Sequence, residues 1–186
     1  LFYCYSKPVN GGSVTAIDRA QLSGNALSNR QTIFLANNPS RDAIHFGCRL
    51  EVDGDYIYAS LGERGARYEA QDPAIHAGAI VRLHHDGSTP RDNPKLDGWA
   101  EEILSKGHRN PQGLAIHPST GILWSHEHGP RGGDEINIIT AGRNYGWPTV
   151  SHGKEYIGGT IGIGTSAPGF ADPAWVWTPS IAPSGM

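Results

Sequence analysis

Short apolar segments separated by turn sequences recur along the chain. Residues 49–52 and 56–59 flank an Asp-Gly dipeptide, which favours a tight hairpin turn between two strands. Residues 113–116 and 122–124 flank the turn sequence Pro-Ser-Thr-Gly in the same way. The pattern therefore predicts antiparallel β-hairpins.

Four other segments of this kind are predicted strands, and helical patterns are weak. The four are residues 13–17, 32–35, 80–83 and 135–139. Residues 18–27 and 98–105 have some helical periodicity but contain or adjoin glycine, which disfavours a helix. Consecutive short strands are typical of a sandwich, a barrel or a propeller. Loosely similar hairpins with tryptophan and glycine between them favour a propeller.

The length and the ends of the chain indicate an internal part of a longer protein. At about 40–50 residues a blade, the chain is expected to hold about three or four blades, and such a partial ring leaves strand edges exposed. The chain begins at Leu1 without a signal pattern, and its single methionine is Met186. We expect residues 1–186 to form one partial β-propeller domain.

Composition excludes several other classes of protein. Hydrophobic residues make up 38% and charged residues 18% of the chain, which excludes intrinsic disorder. A formal net charge of -3 gives no general attraction to nucleic acid or anionic lipid. No apolar run approaches the roughly 20 residues that span a bilayer. These values agree with a turn-rich, all-β protein.

The chain contains two cysteines, Cys4 and Cys48. They permit one disulfide but do not require it. Cysteine is among the most buried residue types, so two free thiols in strands are the simpler interpretation. A single pair is compatible with either the periplasm or the cytosol.

Two glycine-containing loops carry groups suited to proton transfer. His45 lies close to Gly47, and an imidazole can remove a proton near neutral pH. Glu63 lies beside Arg64, where a carboxylate can orient a base or bind hydroxyls. A strand-capping histidine and a solvated turn are the structural alternatives.

The segment 108–113 reads His-Arg-Asn-Pro-Gln-Gly and is rich in planar hydrogen-bonding groups. Arg109 is suited to pairing with an anionic oxygen, and Asn110 can add a directed amide. A polar turn between blades is the alternative.

The segment 127–135 reads Glu-His-Gly-Pro-Arg-Gly-Gly-Asp-Glu. Its glycines let backbone carbonyls turn toward a common point, and Asp134 and Glu135 add carboxylates, which together suit a hard cation such as calcium. His126 and His128 also suggest zinc, but no third ligand lies at zinc spacing.

Taken in order, these segments resemble the soluble pyrroloquinoline quinone (PQQ)-dependent sugar dehydrogenases of the glucose/sorbosone dehydrogenase family, and its aldose sugar dehydrogenase branch in particular. The matching blocks are HFG-x-RL at 45–50, LGE at 61–63, RNPQG at 109–113, EHGPRGGDEIN at 127–137, NYGWP at 144–148 and APSGM at 182–186. The resemblance implies part of a six-bladed β-propeller with four-stranded antiparallel blades and PQQ on its top face.

The resemblance also implies roles for individual residues. His45 would be the general base that takes the proton from the anomeric hydroxyl of an aldose while hydride passes to PQQ, with a lactone as product. Arg109 would stabilise charge on the quinone oxygens and, with Asn110, hold the cofactor. The carbonyls of Gly129 and Pro130 would bind the calcium that bridges protein and PQQ.

Further metal ligands, partners and a location follow from the same resemblance. Glu135 and Tyr145 match ligands of a second, structural calcium, with later donors expected near Glu155 and Tyr156. An external electron acceptor would reoxidise PQQ, and the protein would be periplasmic or secreted, without a membrane span and without a nucleic-acid partner.

The chain departs from the glucose-specific members at three places. Ile44 and Glu63 stand where those members carry aspartate, which favours broader aldose use over strict glucose use. Cys48 stands where the second glycine of the loop is expected, and it adds bulk close to His45.

Two other functions remain open on the sequence alone. One is a calcium-dependent lactonase or esterase on the same kind of propeller, which would need acidic and amide side chains around a central calcium. The other is a non-catalytic propeller that serves as an interaction module. The presence of His45 favours the enzyme.

Overall fold

A computed structural model describes residues 1–186 as eleven β-strands and one short 3-10 helix, Arg67–Gln71. The strands are β1 (Phe2–Val9), β2 (Gly12–Ser23), β3 (Ala26–Leu35), β4 (Gly47–Asp53), β5 (Tyr56–Leu61), β6 (Ala79–His84), β7 (Ile103–Lys106), β8 (Pro111–Ile116), β9 (Leu123–Glu127), β10 (Asp134–Ile138) and β11 (Trp175–Trp177). No helix has the length and apolar character needed to cross a membrane.

The strands form three antiparallel sheets, each built from strands that follow one another in the chain. The orders are β1-β2-β3, β4-β5-β6-β7 and β8-β9-β10-β11. Both predicted hairpins are confirmed: Asp53 pairs with Tyr56 across the Asp-Gly turn, and Ile116 pairs with Leu123. The two four-stranded meanders have the arrangement of propeller blades, and the first sheet has three strands.

The weak helical periodicity of residues 18–27 and 98–105 does not produce helices. Residues 18–23 lie in β2 between β1 and β3, where Asp18 pairs with Tyr3 and Gln21 pairs with Ser28. Residues 103–105 lie in β7. Pairing with neighbouring strands satisfies the backbone groups that a helix would otherwise satisfy, so tertiary context decides the conformation.

Two apolar cores lie between the sheets, and β6 contributes to both. Val81 and Leu83 belong to the core shared with the first sheet, whereas Ile80 belongs to the core shared with the third sheet. Alternate side chains of a strand point to opposite faces, so β6 is buried on both sides. The sheets therefore stack face to face, as adjacent blades do.

Candidate active site

The predicted site residues lie at equivalent strand ends of the two four-stranded sheets. In the second sheet, His45 precedes β4 and Glu63 follows β5; in the third, Arg109 precedes β8 and His128 follows β9. Because β4 and β5 are antiparallel, as are β8 and β9, the start of one strand adjoins the end of the next. The main-chain N–H of Glu63 donates to the carbonyl of Arg109 at 3.0 Å, so the two ends meet.

His45 and Glu63 form a hydrogen-bonded pair. Nδ1 of His45 contacts Oε1 of Glu63. Glu63 is buried, with 1% of the residue exposed. A neutral imidazole donates through Nδ1–H to the carboxylate, which leaves Nε2 as a proton acceptor. The His45 side chain is 17% exposed, and its Nε2 has no partner in the chain. The Glu63 carboxylate therefore orients the imidazole, and this arrangement suits Nε2 of His45 to accept a proton.

The backbone at His45 is held in an unusual conformation. Its φ of 48° lies in the left-handed region, which non-glycine residues adopt infrequently and which recurs at functional sites. Gly62 lies against this turn, and a Cβ at Gly62 would collide with the His45 carbonyl oxygen. The two loops pack so closely that only glycine fits at position 62.

Arg64 fixes the loop that carries His45, a role that the sequence did not indicate. Its guanidinium donates to the carbonyls of Asp42 at 2.7 Å and Ile44 at 3.2 Å, and to the Ser13 hydroxyl at 3.3 Å. The same group lies 4.0 Å from the centre of the Phe46 ring. Burial lowers the pKa of Arg64, partly opposed by Asp42.

We expect Arg64→Met to destabilise the protein by about 1–3 kcal/mol, because the carbonyls of Asp42 and Ile44 and the Ser13 hydroxyl lose the buried guanidinium that joins them. Urea unfolding of the purified protein measures the change. The matched control is Arg91→Met, which removes an exposed arginine without a hydrogen bond in the chain and should change stability by less than about 0.5 kcal/mol. Equal effects of the two substitutions would contradict the role given to Arg64.

Arg109 is a buried cation without a carboxylate partner. Its Nη1 donates to the carbonyls of His128 and Gly129, both at 2.8 Å, and its guanidinium lies 5.3 Å from the Trp147 ring centre. The side chain forms no ion pair, and its buried Nε has no partner. Burying an unpaired charge is costly, so this guanidinium suits an anionic oxygen of a ligand.

Asn110 joins the Arg109 loop to the His45 loop. Its Oδ1 accepts hydrogen bonds from the main-chain N–H of Gly47 at 3.3 Å and from Gln112 Nε2 at 3.0 Å. Its Nδ2 makes no hydrogen bond within the chain and remains free as a donor to a ligand.

The Gly129-Pro130 corner is held from behind by Asp134. Asp134 Oδ1 accepts from the N–H of Gly129 at 2.8 Å, and Oδ2 accepts from the N–H groups of Ile181 and Ala182 at 2.8 and 2.7 Å. Burial raises the pKa of Asp134, but these bonds and one from Ser180 outweigh it and hold the pKa below its ordinary value.

The Asp134 carboxylate therefore accepts four hydrogen bonds within the chain, which leaves it little capacity to act as the added ligand that the sequence suggested. The Pro130 carbonyl accepts no hydrogen bond. No cluster of three or more histidine, cysteine or acidic side chains is arranged for a metal. A cation at this corner would therefore depend on main-chain oxygens, which suit calcium.

Glu127, which is buried, and Glu135, which is half-buried, lie side by side behind Arg109. Glu127 accepts from His108 at 3.1 Å, from Asn137 at 3.0 Å and from the N–H of Arg109 at 2.6 Å. Glu135 pairs with Glu127 across β9 and β10 and shares the Asn137 amide at 3.3 Å. Burial and the adjacent Glu127 raise the pKa of Glu135 to about 8.

A cavity of about 20 Å³ adjoins these glutamates and is lined in part by Glu127, Glu135 and Tyr145. Such a volume holds about one water-sized sphere, and two adjacent carboxylates favour a cation there. The Tyr145 hydroxyl donates to the Ile138 carbonyl, so its side chain is engaged. Its main-chain carbonyl oxygen is the atom available as a ligand to a cation.

Of four other residues that the sequence analysis singled out, only His128 lines this cavity. Glu155 pairs with Arg67 at 2.5 Å, and the Tyr156 hydroxyl accepts from Arg109 at 3.4 Å. His128 Nε2 bonds to the Pro183 carbonyl at 2.7 Å, whereas the ring nitrogens of His126 are buried without partners. The two histidines do not share a ligand position.

Comparison with known proteins agrees with this geometry. The chain is 42% identical over 194 residues to the aldose sugar dehydrogenase YliI of Escherichia coli, an alignment that covers 100% of the chain and 52% of that protein. The chain spans about half the length of the curated relatives that it matches.

Solved structures give the same result for the fold. The apo-form of the soluble aldose sugar dehydrogenase from E. coli matches with a TM-score of 0.93 at 40% identity, over 99% of the chain and 55% of that structure. The PQQ-bound aldose sugar dehydrogenase from Streptomyces coelicolor matches with a TM-score of 0.72 at 30% identity, over 95% and 49%. These matches confirm the predicted all-β fold as part of a propeller.

The sequence profile described as glucose/sorbosone dehydrogenase matches residues 1–186. The match covers the whole chain, including residues 1–41, which carry none of the motifs named above. The chain therefore belongs to the glucose/sorbosone dehydrogenase family.

Proposed function

We propose that the protein containing this chain oxidises the anomeric hydroxyl of aldose sugars to lactones, with PQQ as hydride acceptor and calcium as the bridging cation. The observation that carries the proposal is the His45–Glu63 pair on the strand ends that also hold the unpaired Arg109 guanidinium. The match to a structure described as a PQQ-bound aldose sugar dehydrogenase supports the same cofactor.

The residues present fit PQQ and calcium. Arg109 offers a cation without a carboxylate partner, Asn110 offers a free amide, and the Pro130 carbonyl accepts no hydrogen bond. The Gly129 carbonyl oxygen accepts one hydrogen bond from Arg109, and its second lone pair remains available to a cation. When bound, PQQ with calcium would supply an electron-deficient quinone carbonyl that accepts a hydride.

His45 would act as the general base. Its Nε2 would take the proton from the anomeric hydroxyl, while the Nδ1–H bond to Glu63 keeps the ring in the tautomer and orientation that this transfer needs. The adjacent carboxylate would stabilise the imidazolium that forms. Arg109 would place fixed positive charge where negative charge develops on the acceptor, and this preorganised charge lowers the barrier.

Reconstitution of the purified full-length protein tests the proposal. We expect PQQ and calcium together to give reduction of an electron-accepting dye by an aldose, with the lactone as product. Chelation of calcium before PQQ is added should prevent formation of the active enzyme, and calcium should restore it. Absence of sugar oxidation with PQQ, calcium and a panel of aldoses would overturn the proposal; lactone hydrolysis without PQQ would support the lactonase instead.

Glu63→Gln should lower kcat about tenfold or more with little change in KM for the sugar, because the neutral amide no longer stabilises the charged imidazole. Steady-state kinetics with the dye measure both constants. Glu101→Gln, at an exposed glutamate, is the control and should leave kcat within about twofold. An unchanged kcat in Glu63→Gln would remove Glu63 from the proposed mechanism.

We propose the remaining features on the same basis. Glu135 and Tyr145 would hold a second, structural calcium at the small cavity. An external electron acceptor would reoxidise PQQ, and the protein would work in the periplasm or outside the cell. Residues 1–186 would form one part of a single propeller domain.

A further inference from the structure

Cys4 and Cys48 come from distant parts of the chain and meet where the first two sheets pack together. Cys4 lies on β1, where it pairs with Ile17, and it packs against the core between these sheets. Its Sγ donates to the Cys48 carbonyl at 3.5 Å, and both cysteines are free thiols in this structure. No other cysteine is present in the chain.

We propose that Cys4 and Cys48 form a disulfide that links β1 to β4 next to the His45 loop. A disulfide requires neighbouring Cβ atoms and a suitable approach of the two sulfurs. The contact between the Cys4 sulfur and the Cys48 carbonyl brings these two residues together across the first two sheets. Neither thiol has a part in the proposed sugar oxidation, so this inference stands or fails independently of that function.

The thiolate is the nucleophile in disulfide exchange, so either cysteine can begin the reaction once it loses its proton.

Glutathione disulfide can serve as the oxidant for this reaction. The thiolate of one cysteine attacks one of its sulfurs, which breaks the S–S bond and releases one glutathione thiolate. The other cysteine then loses its proton and attacks the sulfur of the first, and the second glutathione thiolate leaves. Two protein thiols are oxidised, one glutathione disulfide is reduced, and the two protons go to the released thiolates.

Peptide mapping of the purified full-length protein after treatment with glutathione disulfide tests the proposal. Trypsin releases residues 42–49, which contain Cys48, and we expect this peptide to be linked to the one that contains Cys4. Reduction should separate the two peptides and lower Tm by about 5 °C or more, since a crosslink between distant residues restricts the unfolded chain. Recovery of both peptides unlinked would overturn the proposal.

Two single substitutions test the pairing. Cys48→Ser leaves Cys4, and Cys4→Ser leaves Cys48, without a partner, so glutathione should remain attached to the surviving cysteine as a mixed disulfide. Release of glutathione from either variant as complete as from the unsubstituted protein would overturn the proposal.

Discussion

Replacing His45 with alanine is expected to lower kcat for sugar oxidation by about 10²–10⁴-fold, the usual contribution of a positioned general base. The substitution removes the one imidazole whose Nδ1 is held by a buried carboxylate while its Nε2 is free. Steady-state kinetics of the PQQ- and calcium-loaded enzyme, with an electron-accepting dye, measure the loss. An alanine variant that retained the original kcat would exclude His45 as the base.

Two controls separate loss of the base from loss of the fold. His117→Ala removes an exposed histidine at a hairpin turn and should leave kcat within about twofold. His45→Ala also leaves the buried Glu63 carboxylate without its partner, which is destabilising. The double variant His45→Ala/Glu63→Gln removes that charge, so it should regain stability without regaining activity.

Replacing Asp134 with alanine should destabilise the protein by about 2–4 kcal/mol, because a fully buried carboxylate is lost together with the four hydrogen bonds that it accepts. The affected donors include the N–H groups of Gly129, Ile181 and Ala182. Urea unfolding gives the free-energy change. The Gly129-Pro130 corner loses its support as well, so the proposed calcium-dependent binding of PQQ should weaken in the same variant.

Two controls accompany Asp134→Ala: one keeps the size of the side chain, and the other removes an aspartate at an exposed position. Asp134→Asn keeps the shape and one acceptor oxygen but places an NH₂ group against the main-chain N–H donors, so an intermediate loss is expected. Asp55→Ala, at an exposed turn, should change stability by less than about 0.5 kcal/mol. An Asp134→Ala protein as stable as the original would show that the donors find other acceptors.

The hairpins and the all-β fold were predictable because their signals are local. Alternating apolar positions and an Asp-Gly turn specify two adjacent strands whatever surrounds them, and Asp53 pairs with Tyr56 accordingly. The same local reasoning was ambiguous for residues 18–27, whose strand conformation depends on partners on both sides. The order of the motifs also indicated the family, which the profile match confirms.

The relations among the site residues depend on packing that no local pattern encodes. His45 and Glu63 meet because β4 and β5 are antiparallel. Arg109 reaches Gly129 because β8 and β9 are antiparallel as well. Arg64 holds the His45 loop because left-handed turns at His45 and Arg64 place its guanidinium over the Phe46 ring. Residue types identified the candidates, whereas strand register decided which of them are in contact.

Residue order along the chain was enough for the two hairpins, the all-β class and the family membership of this protein, because each rests on neighbours in sequence or on short motifs. The hydrogen bonds from Ile181 and Ala182 to Asp134 and the contact of Cys4 with Cys48 depend on the folded chain. In both cases the partners are more than 40 residues apart, and sheet packing brings them together.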